Sequence, residues 1–138
     1  MKALDNIENI SSAIDLMSAY VAKAEVDIKL GCYETAIEDC EKALNVTNLC
    51  SNYYLLEKCK CLYLKIVANY KLNLKDELKK DLSDLYLNAK KLSENLMKTG
   101  LNYKLEFENE LQNSDSIEDS LRNMQSFLNN FVKLDISL

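Results

Sequence analysis

The fold of the chain is decided by residues 29–44, which read KLGCYETAIEDCEKAL. Gly31 interrupts the helical pattern, and glycine adopts the left-handed conformation that ends a helix without a steric penalty at Cβ. The stretch therefore predicts the end of one helix, a tight turn and most of a second helix with small inner residues. The inner face of that second helix recurs at steps of three and four: Tyr33, Ala36, Ile37, Cys40, Ala43 and Leu44.

The same stretch resembles a tetratricopeptide repeat, whose family pairs two antiparallel helices in units of about 34 residues. The family's glycine between the helices and its aromatic residue two positions further on match Gly31 and Tyr33. Cys40 stands where an aromatic residue is usual, and Lys23 stands in the first helix where an apolar or aromatic one is usual. The resemblance covers residues 20–48, and it implies stacked antiparallel hairpins that bind another protein.

A more degenerate second copy follows the first. Residues 71–73 read KLN and resemble KLG at 29–31, but Lys71 lies further from Lys29 than the length of one standard repeat. The residues after them continue as the start of a matching second helix, so we expect a second, lengthened hairpin. A repeat array needs at least about three units to bury a continuous core. The sequence therefore leaves open a small helical domain or a piece cut from a longer solenoid.

Composition narrows the class of protein. At 138 residues and 48% hydrophobic content, the chain has the size and make-up of one globular domain. It has no proline and only two glycines, whereas sheet proteins use both residues for their many turns, so we expect an all-α fold. The net charge is −5 and the lysines are interleaved with acidic residues. Nucleic-acid binders gather basic charge on one face, so no nucleic-acid partner is expected.

Apolar periodicity predicts the helices in chain order. Residues 101–107 alternate as a strand does, but they are assigned to a helix because the chain offers no second strand. We expect five to six helices, as antiparallel hairpins in a right-handed superhelical array or as a short bundle. A single tetratricopeptide-like domain would span 1–138, with two long hairpins in 1–100 and capping helices in 101–138. The first predicted helix starts near residues 4–7 and stops at Gly31, and the next three span about 33–46, 52–72 and 75–98. A last helix follows the capping residues 113–116, and its predicted inner residues are Ile117, Leu121, Met124, Leu128 and Phe131.

The first predicted helix carries an unbroken heptad seam, which faces either the next helix of the same chain or a second copy. The second alternative would make the protein a homodimer through this seam. The seam consists of Ile7, Ile10, Ile14, Met17, Val21, Ala24 and Ile28.

No residue pattern of an enzyme or a metal site appears in the sequence. There is no histidine and no glycine-rich phosphate loop. Cys59 and Cys61 point to different faces of one helix, which does not suit a metal site. Five is an odd number of cysteines, which argues against a disulfide framework. We expect no enzyme, cofactor, metal or small-molecule substrate. With no signal peptide and no apolar run that approaches the length of a membrane span, no membrane contact and a cytoplasmic or nuclear location are expected.

The function implied by the resemblance is that of an adaptor or scaffold that binds a peptide or amphipathic helix of another protein. Such proteins bind through the first helix of each pair. Lys58, Lys60 and Lys65 predict an open face on the third helix. A mixed apolar and lysine surface favours an amphipathic or acidic segment held in a groove. The candidate contact residues are Ser18, Glu25 and Lys29 in the first helix, and Lys60, Tyr63, Leu64, Val67 and Lys71 in the third.

Two alternatives remain open at this point. Tyr63 and Val67 fit core packing as well as a binding surface. Val21, Glu25 and Leu64 stand where a carboxylate clamp would need polar or basic groups, which argues against that mode of binding. The competing function is a structural one, in which the helices self-associate or form a subunit contact of a larger assembly.

Overall fold

A computed structural model of the protein describes residues 7–49, 55–98, 117–131 and 134. No strand occurs in these ranges, and the all-α class predicted from composition is confirmed. The second helix runs three residues further than predicted, and residues 101–107, which were assigned to a helix, lie outside the described residues. The five helices of the described ranges are α1 (Ile7–Lys29), α2 (Tyr33–Leu49), α3 (Leu55–Lys71), α4 (Lys75–Lys98) and α5 (Ile117–Leu128).

The helices pack as two hairpins and one further helix. α1 packs against α2, and α3 packs against α4; α2 and, more lightly, α1 then contact α3. α5 also packs against α3, so α3 contacts every other helix of the described chain. The broad apolar surface of α3 explains this central position, because a helix with apolar residues around most of its circumference must be covered on most sides.

The turn between α1 and α2 has the geometry predicted for its glycine. Gly31 has φ +79°, in the left-handed region. Its amide donates to the carbonyl oxygen of Ile28 at 3.1 Å, and the amide of Cys32 donates to that of Asp27 at 2.7 Å. These two bonds form the Schellman motif that satisfies the last carbonyl groups of a helix.

The turn between α3 and α4 repeats this motif in the second hairpin. Asn73 takes the place of the glycine with φ +61°. Its amide donates to the oxygen of Tyr70 at 3.1 Å, and the amide of Leu74 donates to that of Asn69 at 3.0 Å. Asparagine tolerates the left-handed region better than most residues. The two hairpins are therefore structurally equivalent, and the long spacing between KLG and KLN in the sequence is their true period.

Gly31→Ala is expected to destabilise the protein by about 1 kcal/mol, because an alanine at positive φ places its Cβ too close to the following carbonyl oxygen. An added Cβ at this position meets no atom within 4 Å, so the cost comes from the backbone alone. Gly31→Asn should recover most of the lost stability, since Asn73 holds the equivalent turn. Urea unfolding of the three proteins measures both effects, and equal midpoints would contradict the prediction.

The heptad seam of α1 is buried inside the chain from Met17 to Ile28. Met17, Val21, Ala24 and Ile28 are at most 5% exposed, and α1 packs on α2 and α3. For these four residues, the structure favours the alternative in which the seam faces helices of its own chain. This part of the seam offers no free surface for a homodimer.

The last helix contributes its predicted inner face to the same core. Leu121, Met124 and Leu128 are fully buried, and Ile117 is half-buried against them. Beside them, the rings of Phe127 and Phe131 meet edge to face at 5.4 Å between centroids. This end of the chain covers α3, which lies in the middle of the molecule.

Candidate partner-binding surface

One pair of predicted contact residues is joined directly in the structure. Lys60 of α3 and Glu25 of α1 form an ion pair with 3.6 Å between Nζ and Oε2. The two side chains are 17% and 18% exposed, so the pair lies at the rim of the core where the first helices of the two hairpins meet. Lys60 is thus a half-buried member of the surface.

Three further predicted residues are open to solvent. Ser18 is exposed on α1, and Lys29 and Lys71 are exposed at the last positions of α1 and α3. These two lysines are equivalent in the two hairpins, and a cation at a helix C-terminus interacts favourably with the helix dipole. We define the first-helix surface as these three residues together with the ion pair: Ser18, Glu25, Lys29, Lys60 and Lys71.

The other three predicted residues, Tyr63, Leu64 and Val67, are completely buried. Their placement on an open concave face is wrong, because neighbouring helices pack around α3 and bury these side chains. Tyr70, one turn beyond Val67 on the same stripe, donates its hydroxyl to Glu118 of α5 at 3.3 Å. Core packing, the alternative left open for Tyr63 and Val67, describes their position.

Two of the three lysines that predicted an open face on α3, Lys60 and Lys65, are mostly buried and lie against acidic side chains. Lys60 is held by the pair described above, and Lys65 is only 13% exposed. The Nζ atom of Lys65 lies 3.4 Å from Asp81 of α4 and 3.9 Å from Glu41 of α2. Long lysine side chains here run along the surface of the core and end at acidic partners on neighbouring helices.

An ion pair between a lysine and a buried aspartate recurs at equivalent positions in the two hairpins. In the first, Lys23 donates to both carboxylate oxygens of Asp39, at 3.1 and 3.3 Å. In the second, Lys65 donates to Asp81 at 3.4 Å. Both aspartates are almost fully buried, at 2% and 4% exposed. Each pair therefore fixes the two helices of its hairpin, and sequence periodicity gave no sign of it because the two partners lie on different helices.

The residue beside the lysine–aspartate pair differs between the two hairpins, and in the first hairpin it is an acid with a raised pKa. Asn69 donates to Asp81 at 3.4 Å. The equivalent of Asn69 is Asp27, whose carboxylate Oδ2 is buried without a hydrogen bond and 3.8 Å from Lys23 Nζ. The neighbouring Asp39 carboxylate, followed by burial, raises the pKa of Asp27 above its usual range. A carboxylate that lies beside another carboxylate ionises less readily, because the two negative charges repel each other.

Asp27→Asn should therefore stabilise the protein at neutral pH, raising Tm by about 3 °C, which is what ~0.5–1 kcal/mol produces in a chain of this size. Because the folded pKa of Asp27 is raised, its contribution to stability is lost as pH rises through that value. The asparagine side chain of Asp27→Asn does not ionise, so the variant avoids this loss, as Asn69 does in the second hairpin. The increase in Tm should vanish below the pKa of an unfolded aspartate. An increase of the same size at low pH would contradict this explanation.

The cysteines of the described chain are free thiols, and three of them serve packing. Cys61 donates its Sγ–H to the carbonyl oxygen of Cys40 at 3.0 Å, which joins α3 to α2. The Cys61 thiol and burial raise the pKa of Cys40, and burial raises the pKa of Cys59 to about 12. Thiols held in the protonated form are poor nucleophiles and poor ligands. Cys50 lies outside the described residues.

No group of three or more acidic or cysteine side chains in the described ranges is arranged to hold a metal ion. Among the helices that the structure describes, none is long and apolar enough to cross a membrane.

Comparison of the chain with protein-family models, with curated proteins and with solved structures gave no match. The class defined by the fold is an all-α stack of two equivalent helical hairpins with a further helix over the second. The tetratricopeptide resemblance stays a prediction.

Proposed function

We propose that the protein is an interaction module that binds an amphipathic helix or extended peptide of another protein on its first-helix surface. The observation that carries this proposal is the arrangement of the two hairpins. α1 and α3 are the first helices of equivalent units, they contact each other, and their outward residues remain exposed or half-buried.

The charges of this surface suggest the character of the partner. Lys29, Lys60 and Lys71 contribute three cations, whereas Glu25 is the one acid and is already paired with Lys60. The surface is therefore more basic than the chain as a whole, which has a net charge of −5. A partner helix with acidic residues along its polar face would be attracted to it.

The position of α5 supports a helix as the bound form. α5 is an amphipathic helix that buries its apolar face on α3 and accepts a hydrogen bond from Tyr70 through the acid Glu118. The same side of α3 thus accommodates one helix with an acidic edge. A partner helix would lie beside it, over Lys60 and Lys71, in the helix-in-groove mode.

Affinity capture from a lysate of the source organism tests the proposal. We compare the wild type with Lys60→Gln/Lys71→Glu, in which Lys60 becomes a neutral residue because a glutamate would repel Glu25. The matched control is Lys79→Gln/Lys80→Glu on the exposed side of α4, which changes the charge by the same amount. Proteins held by the wild type and the control should fall at least about tenfold with the first variant. Equal recovery with all three would refute the proposed surface.

A further inference from the structure

The outer side of α1 carries a row of exposed residues at helical steps of three and four. The large apolar residues among them, Leu16, Val26 and Leu30, are 48%, 53% and 72% exposed. Ala19 is also exposed, and the side chain of Lys23, in the middle of the row, is 57% exposed. We call these five residues the outer α1 face. Large apolar side chains that are exposed together on one helix face indicate a surface that is covered in use.

The same row exists in the second hairpin, where it is covered. When the two turns are superimposed in sequence, the equivalent residues of α3 are Lys58, Cys61, Lys65, Ala68 and Leu72, and none of them is exposed. Cys61 donates its Sγ–H to the carbonyl oxygen of Cys40 on α2 at 3.0 Å, and Lys65 Nζ lies 3.9 Å from Glu41 of α2. The covering helix of this row in α3 is therefore α2, and the described chain provides no such helix for α1.

The two equivalent lysines show which charge a covering helix supplies. Lys65 pairs with Asp81 of its own hairpin and with Glu41 of the helix that covers it, and its side chain is 13% exposed. Lys23 pairs with Asp39 of its own hairpin at 3.1 Å, yet its side chain is 57% exposed. Among the described residues, no acid of a helix on the outer side of α1 reaches Lys23. The outer α1 face is thus complementary to a helix with an acid in the place of Glu41.

The side of α2 that meets α3 gives the rest of the pattern. Cys40 and Glu41 contact α3 directly, and Ile37 and Leu44, one turn before and one turn after, are half-buried against the core. The pattern is an apolar residue, a small residue three positions later, a glutamate directly after it, and a second apolar residue one turn further on. A small residue at the centre allows two helix backbones to approach closely, and Ala19 is equally small on the outer α1 face.

We propose that the outer α1 face binds a helix of another protein whose binding side has this pattern, packed as α2 packs on α3. The partner's glutamate lies beside Lys23, and its apolar residues cover Val26 and Leu30. This contact is separate from the first-helix surface of the proposed function, because Ala19 directly follows Ser18 and the two point about 100° apart around α1.

A second copy of this chain supplies the pattern less well. Its α2 is already packed against its own α1 and α3. On its α4, the equivalents of Cys40 and Glu41 are the half-buried Leu82 and the exposed Ser83. A serine brings no negative charge to Lys23, so the structure favours a different protein as the partner.

A peptide of residues 33–49 with Cys40→Ala is the probe, since this sequence has the pattern and packs on the equivalent row of α3. A lactam bridge between Glu38 and Lys42, both exposed on α2, holds the isolated peptide helical. Fluorescence anisotropy of the labelled peptide, titrated with the full chain, should give a Kd below about 500 µM, as for a small and transient contact. No binding at a chain concentration of about 1 mM would overturn the proposal.

Two variants of the peptide identify the side that binds. Glu41→Lys should raise the Kd at least about tenfold, because a second cation then faces Lys23. Asp39→Lys makes the same change of charge on the opposite side of the peptide and should leave the Kd within about threefold. If Asp39→Lys alone abolished binding, the peptide would have displaced α2 from its own hairpin, and the proposal would be refuted.

Variants of the chain locate the site. Val26→Glu should raise the Kd at least about tenfold, because it places a charge in the apolar contact. The matched control, Leu87→Glu at a residue 55% exposed on α4, should bind as the wild type does. Lys60→Gln/Lys71→Glu should also bind normally, so that a failure of the first-helix surface is distinguished from a failure of this one. Circular dichroism should show unchanged folding for Val26→Glu and Leu87→Glu, since both positions are exposed.

Two further results would contradict the proposal. Equal weakening by Val26→Glu and Leu87→Glu would place the peptide elsewhere on the chain. Sedimentation of the chain without peptide tests the other occupant. A dimer that Val26→Glu dissociates would assign the outer α1 face to a second copy, whereas a mass that stays at 15.8 kDa agrees with a face reserved for a different protein.

Discussion

Leu64→Ala is expected to lower the free energy of unfolding by roughly 3 kcal/mol, within the ~2–5 kcal/mol range for truncating a buried leucine. Leu64 is completely buried, and it sits on the helix that contacts every other helix of the described chain. Truncation leaves a cavity in the core, and the helices packed around α3 cannot move enough to fill it completely. The loss should therefore lie well inside that range.

Leu87→Ala is the matched control, since it removes the same atoms from a residue that is 55% exposed on α4. Its effect should stay within about 0.5 kcal/mol, as for most surface substitutions. Urea unfolding at equal protein concentration gives both values. If Leu64 instead lined an open binding surface, the two variants would be similarly stable.

Lys65→Met is expected to destabilise the protein by about 3 kcal/mol at neutral pH, because it leaves Asp81 buried without its cation. Lys65 Nζ is 3.4 Å from Asp81, whose side chain is 5% exposed, and Asn69 donates a further hydrogen bond to that carboxylate. Methionine preserves the length of the side chain, so the effect isolates the charge. Lys79→Met on the exposed side of α4 should be nearly neutral.

The difference in the free energy of unfolding between the wild type and Lys65→Met should depend on pH in a defined direction. Burial already raises the pKa of Asp81 in the wild type, while Lys65 counteracts it. Without Lys65 the folded pKa rises further, so ionisation of Asp81 costs more stability as the pH increases. The gap between Lys65→Met and the wild type should be small near the ordinary pKa of an aspartate and grow towards neutral pH. A gap that does not depend on pH would show that lost packing, and not the buried carboxylate, is responsible.

Local features of the fold followed from the sequence because the residues that determine them are close in the chain. Gly31 fixed the end of α1, and the repeat of KLG as KLN gave the period of the two hairpins. Helical periodicity likewise gave the inner face of α5. In each case the deciding contacts lie within a few residues of one another, so a pattern of three and four positions contains them.

The features that the sequence did not give depend on distant partners. The sequence pattern of Val67 and Tyr63 fits a binding face as well as a core, and only the packing of the other helices around α3 decides between them. Lys65 was expected to reach solvent, but in the structure it lies against Asp81 of α4 and Glu41 of α2. Periodicity shows which residues share a face of a helix, but not which helix covers that face.

The central claim, that a partner binds on the first-helix surface, is tested most directly by site-specific photo-crosslinking in a lysate of the source organism. Replacing the exposed Ser18 of α1 with p-benzoylphenylalanine places the reactive group on this surface, and replacing the exposed Glu38 places it on α2. We predict that the reactive group at position 18 crosslinks to a protein other than this chain and that the one at position 38 does not. Adding Lys60→Gln/Lys71→Glu should abolish the crosslink from position 18. Crosslinking from Glu38 alone, or from both positions equally, would contradict the account.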